Sequence, residues 1–189
     1  MSLLNRERVL RAATTSFLAH GYGSSVEHIA RRAGVAKQTV YHHFPSKDVL
    51  FQEVARDLAK HVLVELAGKD LRDTLIRFGA AYRKRALGAQ GIATFRTLVP
   101  EVPRFRALAR AMYAMSAGEL VRRLAAYLGE AMAAGRLAQA EPEFAAEMLL
   151  SMLAGQDRIK RLFAVSGANG GEARRTARIV DCFLKAFQK

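Results

Sequence analysis

The stretch ARRAGVAKQTVYHHFPSKDVL, from Ala30 to Leu50, decides the fold because it has the pattern of a helix-turn-helix. Small and apolar residues recur at helical spacing around its start, at Val26, Ile29, Ala30 and Ala33. Gly34 suits the left-handed backbone that often follows a helix end, and Pro45 disfavours helical geometry at the residue before it. A second helix is therefore predicted over Lys37 to Phe44. Such a helix pair places its second member in the major groove of DNA.

The predicted second helix has two sides of different chemistry. Polar residues four apart share one side, namely Lys37, Gln38, Tyr41 and His42. Val40 and Phe44 lie on the other side, where we expect them to dock the helix on an apolar core. This division suits a helix that reads DNA, since the apolar side holds the helix and the polar side meets the duplex.

Three residues at the start of this helix are the predicted base readers. Gln38 can bond adenine in a bidentate manner, Lys37 can reach guanine or a phosphate, and Thr39 offers a methyl or a hydroxyl group. Base contacts carry sequence information, whereas phosphate contacts fix register. We therefore expect specificity to depend on Lys37, Gln38 and Thr39.

The segment Gly34 to Leu50 resembles the signature of the TetR family of transcriptional regulators, and the resemblance extends over about residues 5 to 55. Upstream residues that match the family's first helix and the turn after it are Val9, Ala13, Phe17, Gly21 and Tyr22. Two departures stand out. Ala36 occupies a place where the family often has a capping Ser or Thr, which removes about 1 kcal/mol of capping. The segment Tyr22 to Val26 is also one residue shorter than usual.

The resemblance implies further contacts to the DNA backbone, from Tyr41, His42 and Lys47, and from Ser25 at the start of the preceding helix. A helix N-terminus with free amides and a hydroxyl group suits a phosphate. The run Ser24 to Glu27 fits a capping box with Ser24 as the cap. The alternative that both serines only cap the helix stays open.

Charge and composition are compatible with a nucleic-acid partner but do not establish one. The chain of 189 residues carries a formal net charge of +13. Residues 1–66 hold nine Lys/Arg and six Asp/Glu, which leaves 21 basic and 11 acidic residues for the rest of the chain. Most of the excess therefore lies outside the helix-turn-helix, where it would steer the protein toward DNA at long range without giving specificity.

The chain has no apolar run of the roughly 20 residues that a membrane span needs and no signal-peptide pattern at its start. The single cysteine, Cys182, excludes an intrachain disulfide and fits a reducing cytoplasm. Its apolar neighbours predict a buried, inert thiol rather than a redox sensor. We therefore expect a cytoplasmic protein without a membrane partner.

From Gly68 onward one amphipathic helical pattern follows another, and no alternating strand pattern interrupts them. Ser116 to Glu119 fits a helix restart, and Pro142 suits a first helical position. The predicted fold is all-α. A three-helix DNA-binding head over residues 1–48 is joined by a linking helix to a larger helical domain for effector binding and dimerisation over residues 49–189.

The last predicted helix has two apolar rows, one at Ala173, Ala177, Val180 and Leu184 and the other at Ile179, Phe183 and Phe187. Two rows indicate a helix covered on both sides, although a core helix rich in apolar residues is the alternative. Following the family's architecture, we expect a homodimer through the last two helices. The predicted interface consists of Ile159, Phe163, Ile179, Val180, Phe183, Leu184 and Phe187.

A cavity for a small-molecule effector is also expected in the larger domain. Its candidate wall residues are Phe78, Tyr82, Phe95, Leu98, Phe105, Met112, Tyr113, Met115, Met148 and Met152. Methionines adapt their shape, which suits a permissive pocket, although core filling is the alternative for each residue. An acidic ligand could pair with Arg83, Lys84, Arg85 or Arg96, which otherwise form a solvated basic face. Residues 97–105 resemble AcrR-type members, which implies a hydrophobic or aromatic effector.

Neither a metal nor a cofactor is expected. His42 and His43 are adjacent on a helix and point about 100° apart, so they chelate poorly. No zinc-binding, phosphate-loop or nucleophile motif is present. The sequence thus predicts a homodimeric, ligand-responsive repressor that a small molecule releases from a near-palindromic operator in double-stranded DNA. A small-molecule binding protein with a vestigial DNA head is one rival, and an enzyme is the other.

Overall fold

The computed structural model describes residues 2–63, 66, 68, 70–103, 106–165 and 171–188. Within these ranges it contains ten α-helices and no strand. Their bounds are α1 Ser2–His20, α2 Val26–Ala33, α3 Lys37–His43, α4 Lys47–Leu63, α5 Leu71–Leu87, α6 Ala89–Leu98, α7 Arg106–Met115, α8 Ala117–Ala133, α9 Pro142–Leu162 and α10 Glu172–Ala186. A short 3-10 turn, Val99–Glu101, follows α6. The all-α prediction is therefore confirmed.

Several predicted boundaries are confirmed by local backbone geometry. The restart near Ser116 separates α7 from α8. Pro142 is the first residue of α9, where its missing amide hydrogen costs nothing. The cap of α5 was not predicted: the Asp70 side chain accepts a hydrogen bond from the Asp73 amide at 2.7 Å.

The chain divides into two compact units. One comprises Met1–Ala59 and Ala93–Ser116, and the other comprises Lys60–Ile92 and Ala117–Lys189. The proposed functional boundary between residues 48 and 49 stays a prediction. Among the described residues, none of the helices combines the length and the apolarity that crossing a bilayer requires.

The core of the first unit explains why α1 to α4 fold together. Its fully buried side chains come from all four helices and the turn before α4, and they include Val9, Ala13, Phe17, Ile29, Val40, Phe44 and Leu50. Phe17 meets Phe51 edge to face, with ring centroids 4.8 Å apart. The predicted packing of Tyr22 on the first helix is confirmed, since its ring stacks on Phe17 at 6.2 Å.

The core of the second unit is formed mainly by α5, α8, α9 and α10. Its fully buried members include Leu75, Phe78, Leu124, Leu128, Leu149, Leu153, Val180 and Phe183. Gly79 on α5 allows a close approach, because a Cβ built there would lie 2.9 Å from Thr176 and 3.0 Å from Leu153. This core fixes which faces of α9 and α10 remain exposed.

Candidate nucleic-acid interface

The turn between α2 and α3 sets the direction of α3. Gly34 adopts φ +65°, as predicted for the residue after a helix end. The Val35 amide bonds the Ala30 carbonyl at 3.1 Å, which closes the end of α2. Ala36 then starts α3 with extended backbone and without a side-chain cap, in agreement with the predicted loss of capping.

The apolar back of α3 holds the helix in place. Val40 and Phe44 are each 1% exposed within the core of the first unit. The Arg6 guanidinium lies 5.2 Å from the centre of the Phe44 ring and donates to Glu53 at 2.8 Å. Phe44 ends α3, and its amide bonds the Val40 carbonyl at 2.9 Å. The helix therefore cannot rotate about its axis without exposing large apolar side chains.

The opposite side of α3 is open to solvent. Lys37, Gln38, Tyr41 and His42 are exposed, and we call these four residues the reading face. The Tyr41 side chain, at 41% exposure, is accessible despite its size. Thr39 is half-buried. The structure thus brings the candidate base readers together at one end of an exposed helix face.

Lys37 has an acidic partner on α2. Its ammonium group forms an ion pair with the Glu27 carboxylate on α2 and lies 5.9 Å from the Tyr41 ring centre. The hydrogen bond from Lys37 lowers the pKa of Glu27, and the same bond raises the pKa of Lys37. Sequence reasoning assigned Glu27 to a capping box and missed this partner. The ten-residue separation of the pair crosses a turn, so no helical periodicity indicates it.

The predicted cap of α2 was wrong by one residue. Ser25, not Ser24, has the extended backbone of a cap, and its Oγ accepts from the His28 amide at 3.1 Å. Ser24 is only 7% exposed because the turn after α1 directs it inward. The Ser25 side chain is exposed at the start of α2, so it remains available to a phosphate.

Lys47 lies at the start of α4, against an aromatic residue of the same unit. Its ammonium group is 4.4 Å from the centre of the Tyr22 ring, and burial lowers the pKa of Lys47. The Tyr22 hydroxyl bonds the Asp48 carboxylate. Burial, together with this bond, raises the pKa of Tyr22. Ser46 caps α4 as predicted, since its Oγ accepts from the Val49 amide at 3.1 Å.

The two histidines at the end of α3 are neighbours in the structure. The rings of His42 and His43 are adjacent, with centroids 5.2 Å apart and planes inclined by 72°. Among the described residues, no group of three His, Cys, Asp or Glu side chains is arranged to hold a metal ion.

The candidate effector residues are distributed over both units. Phe78 is fully buried in the core of the second unit, with Tyr82 and Met148 half-buried against that core. Met152 is 36% exposed on α9. Phe95 and Tyr113 are exposed in the first unit, where Met115 is half-buried. Phe105 and the side chains of Leu98 and Met112 lie outside the described residues. The effector wall stays a prediction.

The candidate dimer residues fall into two groups. Val180, Phe183 and Phe187 are buried in the chain's own core, because the inner row of α10 is Thr176, Val180, Phe183 and Phe187 rather than either predicted row. Ile159 and Phe163 are 49% and 77% exposed. Ile179 and Leu184 are half-buried. Val180, Phe183 and Phe187 are therefore core residues, which corrects the prediction for these three. Ile159, Phe163, Ile179 and Leu184 remain interface candidates.

α9 also exposes an apolar stripe opposite its core-facing side. Phe144, Met152, Ile159 and Phe163, together with the half-buried Met148, lie four or seven residues apart along it, with Phe163 just past the end of the helix. Near the middle of this stripe, a Cβ built on Gly155 would meet no atom within 4 Å. We call this stripe the outer face of α9.

The groove beside this face is basic. It lies between α9 and α10, has a volume of about 440 Å³, and includes Lys160, Arg161, Arg174, Arg175 and Arg178 in its lining. Its Cys182 is exposed, so the predicted buried thiol was wrong. The inner row of α10 passes on the other side of the helix, which leaves this thiol facing outward.

Arg83 was expected on a solvated basic face, but the structure buries it at 3% exposure. Its guanidinium pairs with Asp157 at 2.9 Å and with Glu172, and it donates to the Leu153 carbonyl at 2.5 Å. Arg175 also pairs with Asp157, at 2.7 Å. The cation thus ties α5 to α9 and α10, and it is not available to an acidic ligand.

Two family models match the chain. The model described as "Bacterial regulatory proteins, tetR family" matches residues 9–54. The model described as "AefR-like transcriptional repressor, C-terminal domain" matches residues 73–189.

Two curated relatives match a shorter part of the chain. The HTH-type transcriptional regulator YhgD of Bacillus subtilis is 36% identical over 63 residues, and the HTH-type transcriptional repressor AcnR of Corynebacterium diphtheriae is 29% identical over 73 residues. These matches cover 33% and 38% of this chain, and the same shares of the two relatives.

Solved structures match over nearly the whole length. The flavonoid-responsive regulator FrrA is 30% identical, with a TM-score of 0.78 over 97% of each chain. A crystal structure from Mesorhizobium loti shares the fold with a TM-score of 0.84 at 24% identity, over 100% of this chain and 99% of that one.

Proposed function

The chain belongs to the TetR family of bacterial transcriptional regulators, and from this premise we propose that it is a homodimeric repressor whose release from DNA is controlled by a small molecule. The observation that carries the proposal is the division of α3. Its apolar side is fixed in the core, and its polar side is exposed with Gln38 and Lys37 beside the start of the helix.

Each candidate DNA-binding residue has a role in this proposal. Gln38 and Lys37 bond base edges in the major groove, and Thr39 contacts a base next to them. Tyr41, His42, Lys47 and Ser25 bond phosphates and thereby fix the register of α3 on the duplex. The protein acts in the cytoplasm, because its DNA partner is there.

Dimerisation uses the outer face of α9 together with the exposed side of α10. An apolar stripe of this kind is costly to leave in water and marks a protein interface. The charges also suit a two-fold arrangement. Exposed Glu143 and Glu147 lie toward the N-terminal end of α9, whereas Lys160 and Arg161 lie toward its C-terminal end. Two antiparallel copies of α9 would bring opposite charges together, as an isologous interface requires.

A two-fold dimer presents two reading faces, one for each half of a near-palindromic operator. The effector acts by population shift, since a ligand that binds the low-affinity conformation better moves the dimer toward it. The proposed effector is hydrophobic or aromatic. FrrA, which is described as flavonoid-responsive, supports this chemistry.

The proposal is tested by selecting duplexes from a random library with the purified protein and titrating the enriched duplex with and without a panel of flavonoids. We expect a near-palindromic sequence, two chains for each duplex, and release by at least one aromatic compound. If no sequence is enriched even at low salt, the repressor function is wrong. If DNA binds but every aromatic compound fails to release it, only the effector class is wrong.

A further inference from the structure

The ion pair between Glu27 and Lys37 places a carboxylate beside the reading face. Glu27 lies in the first turn of α2, and Lys37 is the first residue of α3. Their side chains are 61% and 49% exposed, so the pair sits at the surface rather than in the core. The carboxylate therefore meets any duplex that approaches the start of α3.

The negative charge of Glu27 influences both lysines that are candidates for DNA contact. It pairs directly with Lys37, and its field also reaches Lys47, which packs on the Tyr22 ring. An exposed pair of this type contributes little to stability, because solvent screens the two charges. The pair therefore opens easily, and the fold does not depend on it.

We propose that Glu27 is a specificity-determining residue, which holds Lys37 in an ion pair and so penalises its contact with the phosphates of unrelated DNA. This inference rests on the proposed DNA-binding function. A phosphate that takes Lys37 leaves the Glu27 carboxylate unpaired and close to another negative charge. An operator that offers base-edge contacts to Gln38 and Thr39 offsets this penalty, whereas a random sequence does not.

The direct test compares the affinities of wild type and Glu27→Gln for two duplexes, the enriched one and one of random sequence, by fluorescence anisotropy over a range of salt concentrations. Glu7→Gln is the matched control, because it removes the same charge from an exposed position on α1. Glu27→Gln should bind the random duplex about five times more tightly than the control does, as expected for one nearby unit charge in water.

The salt dependence and a double variant separate the pair from general charge. Freeing Lys37 for one more phosphate should steepen the slope of log affinity against log salt by about 0.9. In the Lys37→Gln background, Glu27→Gln should no longer steepen this slope, because no lysine is freed for a phosphate. The ratio of enriched to random affinity should fall in Glu27→Gln and stay constant in Glu7→Gln.

Three outcomes would overturn this role for Glu27. The first is equal behaviour of Glu27→Gln and Glu7→Gln on both duplexes. The second is a steepening of the salt slope by Glu27→Gln that persists without Lys37. The third is a loss of binding to the enriched duplex alone, which would make Glu27 a direct base contact. In all three the wild type still selects a sequence, so they leave the proposed DNA-binding function standing. A wild type that binds no duplex contradicts both.

Discussion

Two helices of this chain, α3 and α9, bury one side in the same way and expose opposite chemistry on the other. Val40 on α3 and Leu149 on α9 are at most 1% exposed, and the buried sides of both helices have the apolar composition of an ordinary core. The exposed side of α3 carries Lys37 and Gln38, whereas that of α9 carries Phe144 and Ile159. The inner sides hold each helix in its unit, and we propose that the outer sides bind different partners, DNA for α3 and a second copy of this chain for α9.

The largest expected effect on stability comes from truncating a buried side chain on the inner side of α3. Phe44→Ala should lower the free energy of unfolding by about 3–5 kcal/mol, the usual cost of truncating a buried Phe. Tyr41→Ala, on the outer side of the same helix, should change it by less than about 0.5 kcal/mol. Urea unfolding followed by circular dichroism measures both. Equal losses from the two variants would mean that the two sides of α3 do not differ as described.

The next effect concerns the outer face of α9. Ile159→Glu should weaken the dimer by about 3–6 kcal/mol, because burying one Ile contributes about 1.5–3 kcal/mol and two-fold symmetry removes the contact twice. Sedimentation at micromolar concentration should show monomers for this variant and dimers for the wild type.

The control for this prediction is Ala126→Glu, which adds the same charge at an exposed position of α8. It should sediment as the wild type does. A wild type that is monomeric, or an Ile159→Glu variant that dimerises normally, would contradict the proposal that α9 pairs with a second copy of this chain.

A smaller effect is expected on the outer side of α3. Gln38→Ala should weaken binding to the enriched duplex by about 1–3 kcal/mol, the worth of one bidentate base contact. It should leave random-duplex affinity nearly unchanged, since phosphate contacts remain. Gln156→Ala removes the same amide from an exposed position of α9 and should affect neither duplex. An equal loss of affinity for both duplexes in Gln38→Ala would mean that this side chain contacts the DNA backbone rather than a base.

The smallest expected effect is on the pH dependence of stability, through the ion pairs that link α9 to α5 and α10. Burial alone would raise the pKa of Asp157, but its bonds to Arg83 and Arg175 outweigh burial and lower it. A lowered folded-state pKa means that the stabilisation is present above the unfolded value, near 3.8, and is lost as pH falls through the folded value. Acid unfolding should therefore be less pH-dependent in Asp157→Asn than in wild type.

A matched comparison uses Asp181, whose more exposed pair with Arg72 also lowers its pKa. Asp181→Asn should alter the acid profile less than Asp157→Asn does, because solvent screens an exposed pair. The reverse order would indicate that the Arg83 pairs do not hold α9.

The helices and the reading face could be predicted because both depend on local periodicity. Residues three and four apart share a side whatever the rest of the chain does, so Lys37 and Gln38 separate from Val40 in the sequence alone. The single-residue error at Ser24 and Ser25 has the same origin, since periodicity does not specify which serine a turn directs inward.

Features that depend on distant residues could not be predicted in this way. Arg83 looks like one member of a charged run, and its burial is decided by Asp157 and Glu172, which are 74 and 89 residues away. Cys182 and Phe183 are neighbours of similar apolarity, yet packing against α5 and α9 buries only the second. Met152 fits a pocket wall and an interface equally well by composition, and only the core contacts of α9 place it on the outer face.

Methylation interference on the enriched duplex tests the central claim most directly, because a methyl group on guanine N7 blocks the major groove where a reading helix must enter. The account predicts two interfering clusters on one side of the duplex, centred about 10 base pairs apart, as two symmetry-related copies of α3 require. A single cluster, or binding that methylation leaves unaffected, would contradict it.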